Sequence, residues 1–246
     1  MNTKQRLKNL RNIAPDYQRI PHFNRQISQM THDDIELESP VDFPLDCWIQ
    51  EKVDGSNMGV SWTSGPVLRN RKHILKKGYI EKDTPAKLQF RPAWNWINEH
   101  RGDIIKCSKI IGGPVTIYGE WLNFSHSIFY DKLPDLFLAY DIWSAEESKF
   151  LSPIIVEEVL SETEIKFIKS KNIILNSVLD IIKISEMNSQ FRDGLSEGIV
   201  VKTSQVRFLK DTWKVVNKKF VRREDFNEST PIKNKIGKWS DADHFI

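Results

Sequence analysis

Residues 48–62 read WIQEKVDGSNMGVSW, and the rest of the chain is best interpreted from this stretch. Its apolar residues alternate on both sides of a polar centre, which predicts two short strands. The turn-forming tetrapeptide DGSN, at residues 54–57, would join them. Lys52 would then lie at the mouth of the turn. A lysine beside a glycine that lets a phosphate approach the backbone can act as a covalent nucleophile toward a nucleotide.

The pattern K-x-D-G is weak on its own, since about one protein in twenty of this length contains it by chance. Its significance rises because five further segments follow it in order. These are LRNR at residues 68–71, YGEW at 118–121, FLAYDIW at 137–143, SEGIVVK at 196–202 and WKVV at 213–216.

Composition sets broad limits on the class of protein. The chain has 246 residues, of which 39% are hydrophobic and 28% charged, enough for one large globular domain. Cys47 and Cys107 provide neither a disulfide framework nor a C-x-x-C metal site, which favours a reducing cytoplasm. We see no signal peptide and no apolar run that could cross a membrane. The net charge of +3 permits nucleic-acid binding but also suits a metabolic enzyme.

The chain divides into three predicted parts. We expect residues 1–46 to be an N-terminal lead-in that belongs to the same domain, residues 47–220 to form the core, and residues 221–246 to be a short polar tail. Within these parts, the residue patterns predict helices at 3–12, 85–111, 161–170 and 183–191, and a strand at 173–178.

Several charged side chains are candidates for phosphate and metal binding. A strand over residues 67–71 would present Arg69 and Arg71 on one face, as a phosphate clamp or as an exposed strand face. Free lysine has a pKa near 10.4, so Lys52 needs neighbouring positive charge to become nucleophilic. The candidates for supplying that charge are Lys202, Lys214 and a bound magnesium ion. Magnesium prefers oxygen ligands, and Glu197 is our choice to hold it near a triphosphate.

Two strand residues have a functional and an ordinary interpretation. Glu120 would emerge at a strand end, where a carboxylate can bind a ribose hydroxyl or a metal, although such a residue is more often surface. Tyr140 could stack on a purine, although an aromatic residue in a strand is usually part of the core.

Together, the six segments resemble the nucleotidyl motifs of the covalent nucleotidyltransferases, which include ATP-dependent DNA ligases, RNA ligases and mRNA capping enzymes. The resemblance covers nearly three quarters of the chain. It implies an α+β nucleotidyltransferase domain, with antiparallel sheets flanked by helices and ATP bound between them. The asparagine at position 57 resembles the motif of RNA ligases of the RNA ligase 2 type, which carry asparagine at this position. DNA ligases and capping enzymes typically carry arginine there. Residues 118–141, including His126 and Tyr130, resemble the broad RNA ligase domain family.

The resemblance implies an ATP-dependent RNA ligase that joins a 3′-hydroxyl to a 5′-phosphate through lysyl-AMP on Lys52, as in RNA repair, with Mg²⁺ or Mn²⁺ as cofactor. A nick-sealing DNA ligase or a capping-type transferase is one alternative. An inactive module that binds nucleotides, RNA ends or a protein partner is another. The intact set of Lys52, Glu120, Glu197 and Lys202 argues against lost activity.

The site roles also follow from the resemblance. Glu51 would lie beside adenine, Tyr140 would stack on the base, and Glu120 would contact the ribose. The side chains around the ribose and phosphates would be Arg69, Lys202 and Lys214. The turn residues Asp54, Gly55 and Asn57 would complete the nucleotide site. Glu197 would hold the metal.

Two departures from the family pattern affect the prediction. The last motif has one lysine, Lys214, where many relatives have two. Only thirty residues follow Val216, too few for an appended OB-fold. RNA recognition would then fall to the core, the basic tail residues Lys218, Lys219, Arg222 and Arg223, or a protein partner. The roles of Arg71 and His126 stay open.

Overall fold

Two antiparallel sheets organise the chain in the computed structural model, which describes residues 9–75, 88–220 and 232–237. The four-stranded sheet contains, in spatial order, Phe208–Val216 (β10), Gly198–Gln205 (β9), Leu45–Glu51 (β1) and Lys171–Leu175 (β8). The six-stranded sheet contains Ile74–Leu75 (β4), Pro66–Asn70 (β3), Ser56–Trp62 (β2), Val115–Trp121 (β5), Phe137–Ser144 (β6) and Lys149–Phe150 (β7).

Within the described ranges, the sheets are flanked by the helices Ala93–Glu99 (α1), Arg101–Ile111 (α2), Pro153–Ser161 (α3) and Val178–Ser185 (α4). The predicted α+β class with antiparallel sheets is confirmed. Over the described ranges, every named strand belongs to one of the two sheets, and no OB-fold barrel accompanies them. No helix in this part of the chain is long and apolar enough to cross a membrane.

The segment around Lys52 crosses from one sheet to the other. β1 ends at Glu51 in the four-stranded sheet, and β2 begins at Ser56 in the six-stranded sheet. The two predicted strands exist, but each pairs with other partners. The backbone N–H of Lys52 donates to the carbonyl of Gly198, 2.9 Å away. A Cβ atom on Gly55 would lie 2.8 Å from the carbonyl oxygen of Trp121, so the crossing needs glycine.

Each sheet has its own apolar core. Helices α1, α2 and α3 pack on the six-stranded sheet, where Ile97, Ile104 and Ile117 are fully buried. Helix α4 packs on the four-stranded sheet through Ile181. The cores are separate because the side chains of each sheet alternate between its two faces, and one apolar face of each packs against helices. The opposite faces, near β1 and β5, form a cleft.

The N-terminal segment, defined here as residues 13–37, binds both sheets. The hydroxyl of Thr116 in β5 donates to the carbonyl of Ile13, 2.8 Å away. The backbone N–H of Phe23 donates to the carbonyl of Lys214 in β10, at 2.9 Å, and its ring lies 4.9 Å from that of Trp213. This segment therefore contributes to the walls of the cleft.

Several predicted element boundaries are wrong. Residues 161–170 do not form the predicted helix, because α3 ends at Ser161. The backbone that follows pairs with β6 instead, where the N–H of Ile168 donates to the carbonyl of Ala139 at 2.8 Å. The strand predicted at 173–178 lies at β8, and the helix predicted at 183–191 lies at α4.

The other two predicted helices fall partly outside the described residues. In the helix predicted at 85–111, residues 85–87 lie outside them, and the remainder contains α1 and α2. Helix α2 ends as predicted at Gly112, whose left-handed backbone has φ 90°. In the helix predicted at 3–12, residues 9–12 are helical, and residues 3–8 lie outside the described part.

Candidate active site

A cleft lies between the two sheets, with about 670 Å³ of space free of protein atoms, part of it open to solvent. Both sheets and the N-terminal segment contribute side chains to it. Its charged lining residues are Glu51, Lys52, Arg71, Glu120, Lys202 and Lys214, and its other lining residues include Tyr17, Gln18, Ile20, Gln50, Tyr140, Ile168 and Val200. Clefts of this size and mixed polarity are typical of small-ligand sites.

Lys52 lies among carboxylates. Its ammonium group forms an ion pair with Glu197, and both residues are largely buried. Burial lowers the pKa of Lys52, but the negative charges of Glu197 and Asp54 outweigh it, so the net pKa is raised. The carboxylates therefore outweigh the neighbouring lysines, and Lys202 and Lys214 alone do not bring the pKa of Lys52 below its usual value.

Glu197 is the residue predicted to hold a metal ion. Burial raises the pKa of Glu197, while Lys52 opposes the rise. Across residues 9–75, 88–220 and 232–237, no group of three or more His, Cys, Asp or Glu side chains could hold a metal on its own. Magnesium fits nevertheless, since it is commonly bound by one or two carboxylates together with substrate phosphates and water.

Glu120 is another carboxyl group close to Lys52. It lies at the end of β5, opposite Asn57 of β2. Burial raises the pKa of Glu120, the charge of Lys52 opposes the rise and the charge of Asp54 adds to it, and the net pKa is about 8. The carboxyl groups of Asp54, Glu120 and Glu197 gather around Lys52, so a cation bound there would offset their charge where a triphosphate came close.

The two residues predicted to contact the base also line the cleft. The amide nitrogen of Asn57 donates to the hydroxyl of Tyr140, 2.6 Å away, which fixes the tyrosine ring. Glu51 is buried and accepts hydrogen bonds from the hydroxyl of Ser189 at 2.6 Å and the backbone N–H of Gln190 at 2.8 Å. Burial raises the pKa of Glu51 to about 7.

The two predicted phosphate lysines have different surroundings. Lys202 is fully buried and donates to a carboxylate oxygen of Asp141 and to the carbonyl of Tyr140, both 2.8 Å away. Lys214 lies 4.0 Å from Asp34 of the N-terminal segment. Burial, followed by repulsion from Lys52, lowers the pKa of Lys214 to about 8, so its charge is progressively lost as the pH rises through about 8.

Asp54 connects the turn to the aromatic segment after β5. Its carboxylate accepts a hydrogen bond from the backbone N–H of Ser127 at 2.7 Å, and its own N–H donates to the hydroxyl of Tyr130 at 2.9 Å. A ring nitrogen of His126 lies 3.2 Å from the hydroxyl of Ser56. These contacts place Tyr130 and His126 beside the turn.

The structure corrects one residue of the predicted nucleotide site. Arg69 is fully buried and is not among the residues that line the cleft. Its guanidinium pairs with Asp16 and donates to the carbonyls of Ala14 and Arg71. The N-terminal segment covers Arg69, whereas Arg71, two residues along the same face, is exposed and lines the cleft. Arg71 is therefore the arginine available to a phosphate.

This difference predicts opposite effects for two matched substitutions. Arg69→Ala should lower the free energy of unfolding by about 2–4 kcal/mol, because it leaves buried carbonyl groups without donors. Arg71→Ala should change the free energy of unfolding by less than about 0.5 kcal/mol but weaken ATP binding. Denaturant titration and calorimetry measure the two quantities. If Arg69→Ala has normal stability but weakened ATP binding, Arg69 is a nucleotide-binding residue after all.

Residues that sequence reasoning missed come mainly from the N-terminal segment. Tyr17, Gln18 and Ile20 line the cleft, and Asp34 faces Lys214. No periodicity marks this proline-containing segment, so its local sequence gives no signal. Asp141 could have been noticed, because a charged residue inside the otherwise apolar FLAYDIW strand needs a buried partner.

Two antiparallel sheets with a lysine in the cleft between them define the architecture of a nucleotidyltransferase domain. A sequence model of the RNA ligase family matches residues 45–219. The chain belongs to the RNA ligase family. No curated protein matches it in sequence.

Solved structures of an RNA ligase from Naegleria gruberi share this fold. A mutant of that enzyme with ATP and Mn has a TM-score of 0.55 and 17% sequence identity to the chain. The same enzyme with pyrophosphate has a TM-score of 0.54 and 18% identity, and another mutant with AMP and Mn has a TM-score of 0.53 and 19% identity. Each match covers 71% of this chain and 50% of the other, so the chain spans about half the length of these structures.

Proposed function

We propose that the protein is an ATP-dependent RNA ligase that forms lysyl-AMP on Lys52. The observation that carries this proposal is the position of Lys52 at the crossing between the sheets, largely buried and paired with Glu197. In the proposed step, the neutral Nζ of Lys52 attacks the α-phosphorus of ATP. A nitrogen–phosphorus bond forms, the bond to the bridging oxygen breaks, pyrophosphate leaves with the electron pair of that bond, and the nitrogen loses one proton to water.

The nucleotide and metal are supported by similarity. The Naegleria gruberi enzyme is described with ATP and Mn, with AMP and Mn, and with pyrophosphate. ATP and pyrophosphate are the substrate and the leaving group of the proposed step, and AMP is the group that it transfers. ATP with Mg²⁺ or Mn²⁺ is accordingly our assignment for this chain. A divalent cation held by Glu197 would offset the carboxylate charge, favour the neutral amine of Lys52 and stabilise the leaving pyrophosphate.

The proposed roles of the remaining residues follow their places in the cleft. The ring of Tyr140 and the aliphatic side chains of Ile168 and Val200 offer apolar surface to adenine, with Glu51 nearby. Glu120 would contact the ribose. The phosphates would be bound by Arg71, Lys202 and Lys214, while Asp54, Gly55 and Asn57 shape the turn beside them.

In the second and third proposed steps, AMP passes from Lys52 to the 5′-phosphate of an RNA end, and a 3′-hydroxyl then displaces it to join the strands. The RNA end must reach the turn from outside the cleft. An open recess borders the turn there, and its lining includes Ser56, Asn70, Arg71, Lys72 and His73. Arg71 lines both the recess and the cleft. We therefore place the RNA end in this recess.

Lys72 provides a direct test of this placement. Lys72→Ser should weaken RNA binding and reduce the slope of log affinity against log salt by about 0.7, because one phosphate contact is lost. Lysyl-AMP formation should be unchanged. Lys109→Ser, which removes one exposed cation at the end of α2, is the matched control and should leave the slope unaltered. Equal salt slopes for the two variants would contradict the placement of the RNA end in the recess.

The basic tail is a second candidate for RNA docking. Lys219 pairs with Glu186 at 2.6 Å, and Lys218 donates to the carbonyl of Gln26 at 2.5 Å. Arg222 and Arg223 lie outside the described residues. A docking role for this cluster stays a prediction, as do a protein partner and a cytoplasmic location.

The experiment that tests the proposed function is incubation with α-labelled ATP and magnesium, followed by a panel of 5′-phosphorylated RNA and DNA strands. The proposal requires transfer of label to protein and then to an RNA 5′ end, with sealing to a 3′-hydroxyl. Preferred sealing of nicked DNA would support the DNA ligase alternative. Preferred uptake of label from GTP would support a capping-type transferase, and ATP binding without any uptake would support an inactive module.

A further inference from the structure

Tyr17 reaches from the N-terminal segment into a buried hydrogen-bonded chain that ends at Lys202. Its hydroxyl donates to one carboxylate oxygen of Asp141, 2.6 Å away. The other carboxylate oxygen of Asp141 accepts from the ammonium of Lys202, 2.8 Å away. Tyr17 is 8% exposed, and Asp141 and Lys202 are each 1% exposed. Water therefore does not compete for these hydrogen bonds, and the carboxylate links the two donors directly.

The surroundings of Tyr17 fix its position. Its ring lies 5.1 Å from that of Tyr118 and 5.6 Å from that of Tyr140, while its backbone N–H donates to the carbonyl of Arg71 at 3.1 Å. Burial and the charge of Asp141 raise the pKa of Tyr17 well above its usual value. The hydroxyl of Tyr17 therefore stays protonated and acts as a donor to the carboxylate.

Lys202 has three N–H donors, and its two hydrogen bonds to Asp141 and the carbonyl of Tyr140 use two of them. Lys202 also lines the cleft, with its ammonium 5.6 Å from the centre of the Tyr140 ring, so a phosphate group bound in the cleft would accept from the third donor. The direction of that donor depends on where Asp141 holds the ammonium. Tyr17 occupies the second oxygen of Asp141 and thereby limits rotation of the carboxylate.

We propose that Tyr17 is a positioning residue for lysyl-AMP formation, holding Asp141 so that Lys202 is aimed at the reacting phosphate. This inference rests on the proposed function and adds a residue from the N-terminal segment to it. Without the hydroxyl, a buried carboxylate oxygen loses its donor, and the carboxylate is free to rotate and to draw Lys202 away from the cleft. Because charge develops on the phosphoryl group during transfer, a misplaced Lys202 costs more in the transition state than in ATP binding.

Tyr17→Phe tests the proposal, because phenylalanine keeps the ring that lines the cleft and removes only the hydroxyl. Tyr118→Phe is the matched control. Its hydroxyl also anchors the N-terminal segment, by donating to the carbonyl of Pro15, but it makes no hydrogen bond to Asp141 or Lys202. Both variants lose one buried hydroxyl, so a general loosening of the segment would affect both.

The measurement is the rate of lysyl-AMP formation as a function of ATP concentration, with thermal unfolding recorded for each protein. In Tyr17→Phe, the maximal rate should fall about tenfold while the KM for ATP stays within about twofold. In Tyr118→Phe, both quantities should stay within about twofold of wild type. Equal rates in the two variants, or a raised KM with an unchanged maximal rate in Tyr17→Phe, would overturn the positioning role. Absence of lysyl-AMP in the wild type would instead overturn the proposed function, and this inference with it.

Discussion

Replacing Lys52 by alanine is expected to reduce transfer of AMP from ATP to the protein below detection, a loss of at least about 10⁴-fold. The reason is chemical, because the substitution removes the nitrogen that would form the bond to phosphorus. Retention of labelled AMP on the protein after denaturation measures the step. The fold should survive, since Lys52 lines the cleft and its burial adds little to either apolar core.

Two further measurements make this result specific. Lys52→Arg keeps a cation beside Glu197 but cannot supply a neutral nucleophile, so it should be equally inactive in the first step. Sealing of an RNA end that already carries AMP should persist in Lys52→Ala, because that substrate bypasses the lysine. Label on the alanine variant at the wild-type level would exclude Lys52 as the nucleophile.

Glu197→Gln is expected to lower the rate of lysyl-AMP formation by about 10²-fold or more at a fixed magnesium concentration. The substitution keeps the size of the side chain and removes the charge that would hold the cation. It also removes the charge that raises the pKa of Lys52. Loss of that charge alone would make the amine of Lys52 more available and increase the rate near neutral pH. A lower rate of lysyl-AMP formation in Glu197→Gln therefore indicates a metal role, and a higher rate indicates a simple ion pair with Lys52.

The matched control is Glu186→Gln, which neutralises a carboxylate paired with Lys219 at the surface, 2.6 Å away. It should form lysyl-AMP at the wild-type rate. Titration with magnesium should partly restore Glu197→Gln and leave the control unchanged. An increased rate in Glu197→Gln, or a wild-type rate at saturating magnesium, would contradict the metal role.

The strands that carry the motifs could be predicted from the sequence, because alternation of apolar residues is a local signal. The alternating segment around Lys52 forms β1 and β2 as predicted, and the SEGIVVK motif, at residues 196–202, lies at the start of β9. Their contact was not deducible from spacing, since Lys52 and Glu197 are 145 residues apart. Only the resemblance to a family placed these two residues in one site before the fold was known.

Long-range packing explains what sequence reasoning missed. Arg69 and Arg71 are equivalent by the period of a strand, and only coverage by the N-terminal segment buries one and leaves the other at the cleft. Tyr17 bonds to Asp141, 124 residues away, so nothing near it in sequence marks its role. The helix predicted at residues 161–170 is absent for the same reason, because pairing of this backbone with β6 outweighs a local helix preference.

The measurement that tests the central claim most directly is peptide mapping of the wild-type protein after incubation with ATP and magnesium. The account predicts AMP on the Nζ of Lys52, in the peptide that contains the sequence KVDGSN, with release of one pyrophosphate for each AMP bound. AMP attached to any other residue, or ATP bound in the cleft with no covalent product under conditions where the protein is folded, would contradict it.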